Sequence, residues 1–239
     1  MLLNKVFKSF ASNKPPFCSV VIAAAGLSQR CKGEDKIKYV INGKSVLNHS
    51  IEVFNNCSLI KEIIVVVQEH ELEYIAMNCD RYDYTKVIAV IKGGKTRAES
   101  VYNGVFAVSE KAEYIIVHDG ARPCIDENLI LRTILAAVKY SAAVPAVPVI
   151  PTIKMVKDGV VIKTIDRDGL YEMQTPQAFK SELLKAALTN VMNKKINVTD
   201  ESMAVELLGM VVHTVEGSRR NIKITEPDDF LIATRFLCE

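Results

Sequence analysis

The chain has 239 residues, 49% hydrophobic and 24% charged, with a formal net charge of +2. It can therefore bury the core of one full domain, and it is too nearly neutral to bind nucleic acid or an anionic membrane surface through bulk charge. Six scattered cysteines (Cys18, Cys31, Cys57, Cys79, Cys124, Cys238), with no Cys-x-x-Cys and no histidine at zinc spacing, argue against a structural metal and a disulfide framework and point to a reducing compartment, the cytoplasm.

Residues 1–17, MLLNKVFKSFASNKPPF, are basic, lack acids and end in Pro15-Pro16. They are expected to form a poorly ordered leader ahead of a single domain over residues 18–239, with an organellar transit segment as the alternative. No apolar run approaches the roughly 20 residues that span a bilayer, so no membrane partner is expected. From residue 19 onward, β-branched runs at 19–25, 62–67, 86–91, 114–118 and 142–147 alternate with segments of helical period, such as Leu47, Ile51 and Phe54, or Ala98, Val101, Val105 and Val108. The alternation predicts an α/β fold, a mostly parallel sheet between helices. In such sheets ligands bind outside the carboxyl ends of the strands, and the loops there, at 26–36, 92–97 and 118–123, are rich in polar residues.

At residues 145–165 the rhythm breaks. Pro145, Pro148 and Pro151 are followed by Lys157-Asp158-Gly159 between β-rich runs at 152–156 and 160–165. Asp-Gly between such runs signals a hairpin, and prolines confine their strands to an edge or an excursion. A β-arm over about 145–167 is predicted to leave the globule and reach a second subunit. Helical pattern returns over 180–192 and 200–208, and Thr225 is expected to cap a last helix with Pro227, Asp228 and Asp229 in its first turn.

The first of the polar loops, with the end of its strand, reads AAAGLSQRCKGEDK at residues 23–36. A dinucleotide fingerprint would place glycines where Ser28 and Cys31 stand, and a P-loop would place a glycine where Lys38 or Ala89 stands. What remains is a small-residue turn in which the backbone of Ala24, Ala25 and Gly26 can approach a polyanion, with Arg30 and Lys36 following. That set suits a triphosphate; a solvated loop charged only for solubility is the alternative.

The segments AAAGLSQR, DKIKYVINGKSVLNHSI, GGKTRAESVYNGV, VHDGARPC, TIDRDGLYEMQTPQAF, TDESMAVE and VEGSRRNIKITEPDDF follow one another from about Val20 to the end. In their order and spacing the chain resembles the 2-C-methyl-D-erythritol 4-phosphate cytidylyltransferases of the non-mevalonate isoprenoid pathway. The resemblance implies the nucleotide-diphospho-sugar transferase type of α/β sandwich. It also implies a reaction in which a polyol phosphate attacks the α-phosphorus of CTP in line, releasing pyrophosphate, with Mg2+ held mainly through the CTP phosphates. A phosphate monoester is already an anionic nucleophile near neutral pH, so neither a general base nor a covalent intermediate is required, and catalysis falls to positioning and charge stabilisation.

Residue by residue, the resemblance implies that Arg30 and Lys36 offset charge in the transition state, with Lys38 as a rival for the second place. Arg167 and Lys223 would hold the phosphate of the alcohol, Arg167 and Thr152 from an arm that crosses to the partner of a homodimer; pairing of Arg167 with Asp166 or Asp168 is the alternative. Gly93, Gly94, Arg97 and Ser100 would form the cytosine and ribose wall, the glycine amides reading the base. Asp119 and Arg122 would lie by the hydroxyls and backbone of the alcohol, or pair with each other. Thr199 would serve the substrate, cap a helix, or both, and His118 reads as a packing residue because the chemistry has no use for a base. The loop departs from the family at Ser28, where a second glycine is usual, and at Cys31, where methionine is usual. A ribitol 5-phosphate cytidylyltransferase is the competing substrate reading. A non-catalytic nucleotide-binding module is the competing class, against which the joint presence of Arg30, Lys36, Arg167 and Lys223 argues.

Overall fold

A computed structural model describes residues 14–26 and 36–238; most of the leader, Arg30, Ser28 and Cys31 lie outside the described residues. The chain runs β1 (Cys18–Ala23), β2 (Val40–Ile41), β3 (Lys44–Ser45), α1 (Val46–Asn56), β4 (Ile60–Val67), α2 (Leu72–Arg81), β5 (Val87–Lys92), α3 (Arg97–Ala107), β6 (Tyr114–Asp119), α4 (Glu127–Tyr140) and β7 (Ala142–Pro148). It continues with β8 (Ile153–Lys157), β9 (Val160–Ile165), β10 (Tyr171–Met173), β11 (Gln177–Lys180), α5 (Ser181–Lys194), α6 (Glu201–Glu206), β12 (His213–Glu216) and α7 (Pro227–Leu237). None of the described helices is long and apolar enough to cross a membrane.

Strand β1 lies between β4 and β6 and is parallel to both, and β5 extends the sheet in parallel beyond β4. Strands β1, β4 and β6 are near-continuous apolar runs because both of their faces are covered, whereas β5, at the edge, leaves Ile88 exposed. Val20, Ile22, Ile63, Val65 and Ile116 point to a layer holding Leu47, Ile51, Phe54 and Ile134. Val21, Ile64, Val66, Ile115 and Val117 point the other way, to Val101, Val105, Leu184 and Leu188. The shared direction of β1, β4, β5 and β6 brings their carboxyl ends to one edge of the sheet, which is where the polar loops begin.

Beyond β6 the sheet reverses once. Strand β11 is antiparallel to β6 and to the start of β7, and β10 is antiparallel to the end of β7. Strand β12 then pairs in parallel with β7 on residues 143–146. This corrects the expectation that the arm begins at about residue 145, with its proline-flanked strands at an edge or on an excursion: residues 145–148 belong to β7, which has partners on both sides, and only β8 and β9 form the excursion. Pro145 is tolerated because the strand facing it is broken: β10 and β11 are separated by Gln174-Thr175-Pro176, with a cis Thr175–Pro176 bond. Pro145 faces this break, so its missing N–H leaves no ladder bond unmade, and its carbonyl accepts from the Gln174 N–H at 2.8 Å.

The arm forms as the Asp-Gly signal predicts. Strands β8 and β9 pair antiparallel with each other, apart from the main sheet, and Asp158 and Gly159 turn at φ 49° and 77°. Met155, Val156, Val160, Val161 and Ile162 are exposed on it.

Helix starts follow local side-chain chemistry, with two corrections. Helix α6 is capped by Asp200, which accepts from the Met203 N–H at 2.9 Å, and not by Thr199. Asp200 stands nearer to the free N–H groups, and Thr199 is left exposed. Helix α7 begins one residue later than expected, with Glu226 at the cap position. The carboxylate of Asp229 reaches back to the N–H groups of Thr225 and Glu226, at 2.7 and 2.9 Å, and takes the Thr225 hydroxyl as a donor, so that hydroxyl is not the acceptor for the helix.

Gly104 lets α3 lie close on the sheet. A Cβ there would meet Val21 Cγ1 at 2.4 Å and Val66 Cγ2 at 2.8 Å. Both neighbours are β-branched and locked in the core, so Gly104→Ala should destabilise the protein by about 1–2 kcal/mol in denaturant unfolding, overpacking outweighing the roughly 1 kcal/mol gained in helix propensity. A stabilised Gly104→Ala protein would show that this contact has slack.

Candidate functional site

Two features meet at the strand-end edge, a cleft and a cluster of buried charges. The cleft, of about 290 Å3, opens where β1, β4 and β5 end and is lined by Ala25, Val67, Gln68, Gly93, Gly94 and Lys95, among others. The Ala24 N–H donates to Val66 O at 2.8 Å and the Gly93 N–H to Val67 O at 2.8 Å, so both loops leave the sheet in register with β4. Gly93 stands so close to the first loop that a Cβ would lie 2.5 Å from Ala25 Cβ and 2.7 Å from Ser100 Oγ. Gly26, at the rim, has nothing within 4 Å of such a position.

The hydrogen bonds of this cleft revise one expectation. The Gly94 N–H donates to Ser100 Oγ at 3.0 Å, and the Ser100 hydroxyl donates to Thr96 O at 2.9 Å. With the Gly93 amide also engaged, the glycine amides and Ser100 shape the loop ahead of α3, and the amides are not available to read a base. Gln68 and Lys95 were not anticipated as lining residues; their signal in the sequence was position alone, directly after β4 and inside the Gly-Gly loop.

The charge cluster centres on Asp119, the buried last residue of β6. Its Oδ1 accepts from Arg97 Nε at 3.2 Å, its Oδ2 from Lys223 Nζ at 2.7 Å, and Arg122 Nε stands 3.7 Å from Oδ2. The other edge of Arg97 donates to both oxygens of Glu201, at 2.7 and 3.0 Å. Burial alone would raise the Asp119 carboxyl, but Arg97, Lys223 and Arg122 outweigh it and hold it well below the usual carboxylate range. Burial pulls Arg97 down, and the charges of Glu201 and Asp119 overcome that and hold it firmly protonated. Three cations face two carboxylates, so the cluster carries one unit of surplus positive charge. A third of the Lys223 side chain is exposed. Arg97, placed by expectation in a base-binding wall, is thus committed to carboxylates. The alternative of Asp119 pairing with Arg122 is met only by a long contact beside two shorter ones.

His118 precedes this carboxylate and is fully buried, edge-on to Phe54 at 4.9 Å between ring centroids. Its Nε2 lies 3.3 Å from Arg122 O, and its Nδ1 3.1 Å from Thr175 Oγ1. A carbonyl only accepts, so Nε2 carries the proton and Nδ1 accepts from the threonine hydroxyl, which in turn accepts from the Asp119 N–H at 3.1 Å. Burial pushes the imidazole down to about 3, so it stays neutral. The role is packing and hydrogen bonding, as expected.

The same segments tie together the remaining strand ends. Asn221 Nδ2 donates to Thr175 O and Arg122 Nη1 to Asn221 O, at 2.8 and 2.7 Å. Gln177 binds the start of α6 twice, to Asp200 Oδ2 at 2.8 Å and from the Ser202 N–H at 3.1 Å. The structure therefore brings Ala24, Ala25, Gly93, Gly94 and Ser100 together at the cleft, and Arg97, Asp119, Arg122 and Lys223 together at the cluster. Ala24 and Gly120 link the two, since a Cβ on Gly120 would fall 3.1 Å from that of Ala24. Other candidates stand apart. Arg167 donates to Ile150 O at the base of the arm, and Thr152 is exposed on the same segment. Exposed Thr199 contacts Met203 Sδ at 3.7 Å. Lys36 begins the described chain after the first loop and is half-buried. Its rival Lys38 binds the buried Glu71 at 2.8 Å and lies over the ring of Tyr74.

Residues 18–239 match the family model described as 2-C-methyl-D-erythritol 4-phosphate cytidylyltransferase, IspD. The chain is 42% identical over 222 residues to the enzyme of that name from Caldanaerobacter subterraneus, covering 92% of this chain and 98% of the relative. It is 39% identical over 222 residues to that of Alkaliphilus oremlandii, covering 92% and 94%. Among solved structures it resembles the 4-diphosphocytidyl-2C-methyl-D-erythritol synthase of Anaerococcus prevotii, with a TM-score of 0.83 at 31% identity, over 95% of this chain and 100% of that one. The Francisella tularensis 2-C-methyl-D-erythritol 4-phosphate cytidylyltransferase gives a TM-score of 0.79 at 31% identity, over 92% and 99%.

Neutral His118 makes stability depend on pH. Its folded pKa lies below its unfolded one, so its contribution is complete above about 6.5 and is lost as pH falls towards about 3, because only the unfolded chain binds the proton. Between pH 6 and 5 the unfolding free energy should fall with a slope approaching 1.4 kcal/mol per pH unit that His118→Gln lacks. Equal slopes in the two proteins by denaturant titration would mean that the folded protein accommodates a charged imidazole.

Proposed function

The chain belongs to the 2-C-methyl-D-erythritol 4-phosphate cytidylyltransferase family, and we propose that it transfers the cytidylyl group of CTP to 2-C-methyl-D-erythritol 4-phosphate, giving 4-diphosphocytidyl-2-C-methyl-D-erythritol and pyrophosphate. The observation that carries this reading is the family match over residues 18–239. The site's geometry is in keeping with it: a cleft at the strand ends stands beside a cluster with surplus positive charge, and the reaction brings two phosphorylated anions together.

In the proposed reaction a phosphate oxygen of the polyol attacks the α-phosphorus of CTP in line. The new P–O bond forms as the α–β bridging P–O bond breaks, and the electron pair leaves with pyrophosphate. The second ionisation of a phosphate monoester lies near pH 6, so the nucleophile needs no base, in keeping with a neutral, enclosed His118. Lys223, held by Asp119 with part of its side chain open, would bind the phosphate of the polyol. Arg30 and Lys36 would offset the charge that builds on the triphosphate. Ala24, Ala25 and Gly26 would line the path of the triphosphate. Because the amides of Gly93 and Gly94 are engaged, a cytosine 4-amino group would meet their carbonyl oxygens instead.

Magnesium fits this site through the substrate. Among the described residues no group of three or more His, Cys, Asp or Glu side chains could hold a metal ion, and Asp119 is already surrounded by cations. The donors suited to Mg2+ are then the oxygens of the triphosphate itself, and the ion would neutralise part of their charge. Arg167 and Thr152, on an arm with exposed apolar residues, would act across a homodimer, the second copy covering the arm.

Incubation with CTP, Mg2+ and 2-C-methyl-D-erythritol 4-phosphate should release pyrophosphate, faster than with ribitol 5-phosphate, and EDTA should stop it. No release with either alcohol would overturn the reading. Lys36→Ala should lower kcat roughly 100-fold with the fold intact, whereas Lys223→Ala should raise KM for the polyol phosphate roughly tenfold and leave KM for CTP nearly unchanged.

A further inference from the structure

Glu201 is a glutamate at the first position of a six-residue helix, a place where acidic side chains ordinarily sit in solvent. Here only 2% of the side chain is exposed, and burying a carboxylate is costly unless a partner compensates it. The partner is Arg97, whose Nη1 and Nη2 meet the two Glu201 oxygens at 2.7 and 3.0 Å. The backbone around Glu201 is held from both sides. Asp200 caps the helix and takes the Ser202 hydroxyl at 2.8 Å, and Gln177 of β11 binds both Asp200 and the Ser202 N–H.

A guanidinium has two edges that can grip a carboxylate. In Arg97 the Nη1/Nη2 edge is taken by Glu201, so Asp119 receives only the Nε side, and both of its contacts from Arg97, from Nε and Nη2, fall on Oδ1. The second oxygen of Asp119 is thereby left to Lys223 at 2.7 Å. Without Glu201, three cations would share one carboxylate, and Arg97 would be free to turn its fork onto both Asp119 oxygens and displace the ammonium of Lys223.

We propose that Glu201 is a positioning residue for the cytidylyl transfer: by occupying the outer edge of Arg97 it reserves one oxygen of Asp119 for Lys223 and so sets where the phosphate of the polyol is held. The inference rests on the reading of Lys223 given above, and the test separates the two.

The KM values for 2-C-methyl-D-erythritol 4-phosphate and for CTP would be measured for the wild type, Glu201→Gln, Lys223→Ala and the double variant. Glu201→Gln should raise KM for the polyol phosphate about tenfold, since a small misplacement of a binding cation is enough for such a loss, and keep KM for CTP within about twofold. The double variant should be no worse in this parameter than Lys223→Ala alone, as expected when one residue acts through the other. A merely structural role would instead lower the amount of active enzyme, leaving KM unchanged. Effects that multiply, an unchanged KM, or a lower KM caused by added positive charge would each overturn the proposal. If Lys223→Ala itself leaves KM for the polyol phosphate unchanged, the reading of Lys223 fails and this inference with it; if Lys223→Ala raises it and Glu201→Gln does not, only this inference fails. Should Glu201→Gln not fold, Glu201→Asp, which keeps the charge one methylene further back, should show the same selective rise in KM by about threefold, and a normal KM would overturn the proposal.

Discussion

A single buried carboxylate organises the functional edge of this protein. Asp119 ends β6 inside the sheet, and a charge there is tolerable only because cations from three other segments converge on it. Arg97 comes from the start of α3, Arg122 from the turn just beyond β6, and Lys223 from the stretch ahead of α7. Two of the three are also anchored elsewhere: Arg97 by Glu201 of α6 and Arg122 by the Asn221 carbonyl. The buried charge and its partners therefore tie together four stretches distant in sequence, around residues 97, 119–122, 201 and 223.

The break in the sheet serves the same end. The segment Gln174-Thr175-Pro176 interrupts the strand facing β7 where Pro145 offers no N–H. Freed from the ladder, Thr175 hydrogen-bonds the Asp119 N–H and His118, while Gln174 grips the backbone of Ser218 through both its amide atoms. Local irregularity in β7 and in its neighbour is thus matched, and the polar side chains released by it hold the strand end and the Lys223 segment together.

Much of the scaffold was legible from residue pattern. The parallel strands, the helices between them and the Asp-Gly hairpin follow from periodicity and turn chemistry, which act over a few residues. The site was legible only as a set of loops. That Arg97 faces carboxylates and not a base depends on Glu201, 104 residues away, and nothing local to Arg97 announces that partner. Likewise the amides of Gly93 and Gly94 look available in sequence because glycine permits close backbone approach, yet Ser100 and Val67 claim them in the fold. Cap positions failed by one residue at α6 and α7 for a related reason: neighbouring Thr, Asp and Glu side chains compete for the same N–H groups, and the winner depends on backbone direction.

His118 and Asp119 illustrate how adjacent residues can be driven to opposite electrostatic states. Both are buried, and burial disfavours the charged form of each. Asp119 has three cations close by and keeps its charge. For His118 burial dominates: with the positive charges of Arg122 and Lys223 it outweighs the neighbouring Asp119 carboxylate and the Arg122 carbonyl, both of which favour an imidazolium. The histidine is consequently a neutral spacer that fixes Thr175 against the strand end, and the negative charge beside it holds the ammonium of Lys223. Among the described residues the cluster around Asp119 presents fixed cations beside a histidine held neutral, in keeping with the proposed reaction, whose nucleophile is already an anion.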